Sequence, residues 1–107
     1  MPTTIDQRSK KLITQSLKQL VSYGSNPKTA AAWDEARIAL GQLGDTVGQL
    51  LANKPQEDVA FSSALSSLDG YAETLRRSPS AEAKNNFELG LGDVEYRVKR
   101  LFGVTVR

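Results

Sequence analysis

The stretch Trp33-Asp-Glu-Ala36-Arg-Ile-Ala-Leu40-Gly-Gln-Leu43-Gly-Asp-Thr-Val47-Gly-Gln-Leu50 decides the fold. Its apolar residues Trp33, Ala36, Leu40, Leu43, Val47 and Leu50 are separated by steps of 3, 4, 3, 4 and 3. That spacing places them along one seam of an α-helix, because 3.6 residues per turn returns to the same face after alternating steps of three and four. A strand would need alternation with a period of two, which these residues do not have. Gly41, Gly44 and Gly48 allow a break near Gly44-Asp45 into two shorter helices, but the seam runs unbroken across them, so one continuous helix is the favoured expectation.

The same period recurs on both sides. Upstream, Ile13, Leu17, Leu20 and Val21 form a one-sided stripe among Lys10, Lys11, Lys18 and Gln19. Downstream, Phe61, Leu65, Leu68, Ala72 and Leu75 step by 4, 3, 4 and 3, as do Phe87, Leu91, Val94, Val98 and Leu101. Turn chemistry separates the four segments. Thr4-x-x-Gln7 reads as a capping box and Gly24 as a left-handed stop. Asn26-Pro27 and Ser78-Pro79 each read as an N-cap followed by proline in the first turn. Lys54-Pro55 divides the middle pair, and Gly103 closes the last helix, with Val104 positioned to fold back on it. The spacing predicts helices over about 5–23, 27–53, 56–77 and 80–102 of one domain spanning 1–107.

Short connections make successive helices antiparallel neighbours, so the expected fold is all-α, an up-down-up-down four-helix bundle. The halves also overlay. A shift of 51 residues carries Ala36, Leu40, Leu43, Val47, Leu50 and Leu51 onto Phe87, Leu91, Val94, Val98, Leu101 and Phe102, and Gly41 onto Gly92. Two readings account for this: a duplicated αα-hairpin, or the self-similarity of any two heptad-patterned helices.

Composition bounds the chemistry. The 107 residues, 39% of them hydrophobic and 24% charged, suffice for one core. There is no cysteine and no histidine. That removes disulfides, Ser-His-Asp and Cys-His catalysis, the usual zinc sites, a phosphorylatable histidine, and the Glu-x-x-His pairs of di-iron bundles. The expectation is therefore a non-enzymatic protein with no cofactor and no metal. No apolar run approaches the roughly 20 residues a membrane span needs, and Met1-Pro2-Thr3-Thr4 has no secretory pattern, so a soluble, cytoplasmic protein is expected.

Two surfaces stand out. Gly41, Gly44 and Gly48 share one side of the second helix, where each interior glycine costs roughly 0.5–1 kcal/mol relative to alanine. They offer a close-approach surface for a partner helix, or for tight packing within the bundle against the fourth helix. Tyr23 and Trp33 flank the first hairpin turn; Trp33 lies on the seam, and exposure of the two would mark a docking patch. The second surface is electrostatic. In an up-down-up-down bundle Arg8, Lys10 and Lys11 share one end with Arg97, Lys99, Arg100 and Arg107, half of the 14 basic residues. Glu57 and Asp58 sit at the same end and offset them.

These features predict a protein–protein interaction module: an adaptor, a regulator, or a small assembly component of the phage or secretion-system kind. Its partner would be another protein or a second copy. The alternative is a nucleic-acid-binding protein that uses the basic end, although the net charge is only +2.

Overall fold

The computed structural model describes residues 5–27 and 29–106. It contains four helices, α1 (Gln7–Ser25), α2 (Ala30–Leu50), α3 (Pro55–Arg77) and α4 (Ala81–Phe102). The pairs α1/α2 and α3/α4 pack closely, while α2 meets α3 and α1 meets α4 more loosely. The fold is an all-α four-helix bundle made of two hairpins. Partners across each seam give the direction. Ser16 faces Gln42 and Tyr23 faces Trp33; Gly44 faces Leu65 and Gly48 faces Asp58; Gly90 faces Tyr71, while Phe61 shares a cleft with Leu101. Each series runs in opposite senses along its two helices, so all successive neighbours are antiparallel. The long axis of 38 Å matches one helix of about 22 residues at 1.5 Å per residue plus its turns.

The seams read from the sequence form the core. Ile13, Leu17 and Leu20 from α1 are buried with Ala36, Leu40, Leu43 and Val47 from α2. Phe61, Leu68, Ala72 and Leu75 from α3 meet Phe87, Leu91, Val94, Val98 and Phe102 from α4. Trp33, Val21, Leu50, Leu65 and Leu101 pack at its edges, half-buried. The helix through Gly41, Gly44 and Gly48 is continuous, because its seam is buried on both sides of them.

Helix ends depart from the sequence expectation in five places. The N-cap of α1 is Asp6, whose Oδ1 accepts the Ser9 amide at 2.8 Å; Gln7 is the first helical residue, and Thr4 lies outside the described residues. Those hydrogen bonds, from the Ser9 side chain and backbone, hold the Asp6 carboxyl below its usual range. Gly24 does not stop α1. It lies inside the helix and is buried, and the chain ends the helix at Ser25 with Asn26 as C-cap. The reason is packing: a Cβ at Gly24 would sit 2.9 Å from the Phe87 ring of α4.

Asn26 thus closes α1 instead of opening α2, which begins three residues later where Thr29 Oγ1 accepts the Ala32 amide at 3.0 Å. Likewise Ser78 closes α3, and Ser80 opens α4 by accepting the Ala83 amide at 3.0 Å. In both loops the residue before proline is held out of helical geometry, so the cap falls beyond the proline. The α2 helix stops at Leu50, short of the expected 53, because Leu51 turns inward and is fully buried.

Two predicted ends hold. Pro55 opens α3 with Glu57 and Asp58 in its first turn. Gly103 takes the left-handed conformation at φ 71°, donates its amide to the Lys99 carbonyl at 2.8 Å, and lets Val104 return to the core.

The shift of 51 residues carries structure as well as sequence. It maps the Thr29 cap onto the Ser80 cap and the start of α2 at Ala30 onto the start of α4 at Ala81. Buried residues of α2 and its C-cap fall on buried residues of α4: Leu40 on Leu91, Leu43 on Val94, Val47 on Val98 and the capping Leu51 on Phe102.

Candidate functional site

A groove of about 400 Å³ runs along the outside of the α2/α3 seam. Leu40 and Leu65 form its floor, Gly41, Ser62 and Ser66 its walls, and Arg37 and Asp69 its charged rims. It exists because the α2/α3 contact is made through small residues. A Cβ at Gly44 would be 3.2 Å from Leu65 and one at Gly48 3.9 Å from Asp58, whereas Gly41 has nothing within 4 Å. The glycine side of α2 is therefore turned toward α3, not α4, and only its Gly41 part lies open. Polar residues on α3, Ser62, Ser66 and Asp69, complete a groove that hydropathy on α2 alone does not disclose.

Tyr23 is not at the surface. Its side chain is 1% exposed, and it touches all three other helices. The ring lies 5.9 Å from Trp33 of α2 and edge-on to Phe87 of α4 at 5.5 Å, and its hydroxyl donates to the Ala72 carbonyl of α3 at 2.8 Å. Burial raises the phenol above its ordinary value of 10.0, opposed in part by the charge of Arg76. Trp33 keeps a partly open edge, but the Arg76 guanidinium covers it, 5.3 Å from the ring centroid. Arg76 is thereby drawn from Glu73, whose carboxylate pairs with Arg77 at 2.6 Å. The residues flanking the first turn join the hairpins; they do not form an open patch.

The basic end assembles only in part. Arg8, Lys10, Lys11, Lys99 and Arg100 are exposed, and Arg107 lies outside the described residues. Arg97 is half-buried and pairs with Asp93 at 3.3 Å across one helical turn. It also borders a small cleft with Arg100, Glu57, Phe61 and Leu101, so an acid from α3 stands among the cations of α4. The cations of α1 have less such company: Arg8 has the Asp6 carboxylate at the N-cap, and within the helix Arg8, Lys10, Lys11 and Lys18 share it with no acidic residue.

Among the described residues no group of three or more acidic side chains is arranged to hold a metal ion, and no helix is long and apolar enough to cross a membrane. Comparison of the chain with protein-family models, with curated proteins and with solved structures returns no significant match.

Proposed function

We propose that the protein is a non-enzymatic interaction module, an adaptor, regulator or small assembly component, that receives a partner on its α2/α3 face. The observation that carries this reading is the open groove beside Gly41, whose floor of Leu40 and Leu65 is apolar, on the outside of a bundle whose seam residues are buried. A helix packs best where small residues let it approach, and Gly41, Ser62 and Ser66 supply them at the rim of an apolar floor. Glycine is not required there by the fold, since a Cβ at position 41 would meet open space. The absence of histidine and cysteine from the whole chain supports a binding role over a catalytic one.

The test compares the tagged protein with a Gly41→Arg variant, which places a long charged side chain in the groove without touching the core. The wild type is expected to retain a specific partner from its source cell, or to associate with itself. The variant is expected to lose that association while keeping its circular dichroism spectrum and a melting temperature no lower than that of the wild type. A wild-type protein that is monomeric and retains nothing, or a variant that binds equally well, overturns the reading.

A further inference from the structure

We propose that the α2/α3 face receives a second copy of this chain, docked by the outer face of its α1 helix, so that copies join head to tail. This rests on the reading of the α2/α3 face as a docking surface and names its occupant.

Charge is segregated by helix. The α1 helix carries Arg8, Lys10, Lys11 and Lys18 and no acid beyond its N-cap, Asp6. The α2 helix carries Asp34, Glu35 and Asp45 against Arg37 alone, and α3 carries Glu57, Asp58, Asp69 and Glu73 against Arg76 and Arg77. Of those three arginines, Arg76 lies on the Trp33 ring and Arg77 pairs with Glu73. A molecule with net charge of only +2 therefore presents one basic helix and one acidic pair of helices.

The basic side has the form of a ridge. Arg8, Lys11, Gln15, Lys18 and Ser22 step by 3, 4, 3 and 4 and are all exposed, forming one outward stripe of α1. The stripe holds no apolar or aromatic side chain, so it offers nothing to insert into lipid or to stack on an unpaired base. The acidic side holds the groove, with Asp69 and Arg37 on its rims; Asp45 is exposed one turn further along α2 from Gly41, and Asp58 lies along the same seam beside Gly48.

The lengths correspond. Arg8 to Lys18 spans about 15 Å of helix and Asp58 to Asp69 about 16 Å at 1.5 Å per residue. Arg37, the one cation on this rim, has the uncharged Gln15 and Ser22 of the stripe available opposite it.

The two surfaces lie on different sides of the bundle, since α1 stands diagonally across from α3. One neighbour cannot satisfy both, and the contact is heterologous, propagating to a ring or an open chain. Because these charges are exposed, apart from the half-buried Asp58, the attraction falls as salt rises.

The experiment is sedimentation velocity on the full chain over a concentration series, at about 50 mM and about 500 mM salt, where the Debye length falls roughly threefold. At low salt the weight-average mass is expected to rise to at least about twice the monomer mass of 11.7 kDa, and at high salt to return to it. Lys11→Glu/Lys18→Glu is expected to stay monomeric at low salt, because both of its surfaces are acidic. Asp45→Lys/Asp69→Lys is expected to do the same with both surfaces basic. Mixing the two variants restores opposite charges across the contact and with them the assembly, a rescue that misfolding could not produce.

A wild-type mass of 11.7 kDa throughout, or variants that assemble like the wild type, overturns the proposal. So does a monomer that retards duplex DNA and loses that activity in Lys11→Glu/Lys18→Glu, which would give the α1 stripe to a polyanion. A monomer that still captures a different protein, in a manner sensitive to Gly41→Arg, removes self-association and leaves the interaction-module reading standing.

Discussion

The Tyr23 hydroxyl of α1 donates a 2.8 Å hydrogen bond to the Ala72 carbonyl of α3, across the diagonal of the bundle. The same ring meets Trp33 and Phe87, so one side chain ties the first hairpin to the second where the seams between hairpins are loosest. Replacing Tyr23 by Phe keeps the ring contacts and removes the hydroxyl, which is expected to lower stability by about 0.5–1.5 kcal/mol in urea denaturation.

The same tyrosine sets an alkaline limit. Its folded-state value is raised above the ordinary 10.0, so the unfolded chain gives up the phenol proton first. The stabilisation is fully present below pH 10 and is lost as pH climbs through the raised value. Wild-type stability is expected to fall above pH 10 more steeply than that of Tyr23→Phe, as followed by chemical denaturation at a series of pH values. Parallel curves would show that Tyr23 ionises equally in both states.

Gly24 and Gly41 are expected to respond oppositely to alanine. At Gly24 the new methyl meets the Phe87 ring at 2.9 Å and the Glu88 carboxylate at 2.8 Å; overpacking of about 1–3 kcal/mol exceeds the gain in helix propensity of up to about 1 kcal/mol. At Gly41 nothing lies within 4 Å, so alanine is expected to raise stability by about 0.5–1 kcal/mol. Melting temperatures of the two variants moving in the same direction would contradict this assignment.

The caps make a paired prediction. Ser80 accepts the Ala83 amide, so Ser80→Ala is expected to cost about 1 kcal/mol. Ser78 is a C-cap held through its backbone amide to the Thr74 carbonyl, and Ser78→Ala is expected to stay within about 0.5 kcal/mol of wild type. Thr29→Ala and Asn26→Ala are expected to divide the same way at the start of α2. Equal losses from Ser78 and Ser80 would return the cap to Ser78.

Trp33 is the one tryptophan of the chain and reports on its own lid. Removing the guanidinium with Arg76→Gln is expected to cost about 0.5–1 kcal/mol and to shift the native emission to longer wavelength as water reaches the ring. An unchanged spectrum would mean that the cation does not shield the indole.

The number of helices, their approximate extents and the residues of the core were legible in the sequence because each depends on local periodicity. An apolar seam of steps 3 and 4 has one compact solution, and Leu17, Leu43, Leu68 and Leu91 are all fully or almost fully buried as that solution requires. The caps depend on more than local pattern. Asn26-Pro27 and Thr29 are both acceptable N-caps by residue type, and the choice depends on where the preceding helix ends. That in turn depends on Gly24 packing against Phe87, a residue 63 positions away.

What the sequence determined by itself is an all-α bundle without thiol or imidazole chemistry, for those follow from spacing and composition. What the tertiary structure alone decided is which faces of the helices remain available. The same glycines could have faced α4, a partner or solvent, and the packing of Leu65 and Asp58 turned Gly44 and Gly48 toward α3 while leaving Gly41 open. The same tyrosine could have stood beside the turn in water, and the carbonyl of Ala72 with the ring of Phe87 drew it into the core. Periodicity along one helix fixes which side is apolar; only the positions of the other three helices determine how much of the remaining surface is covered.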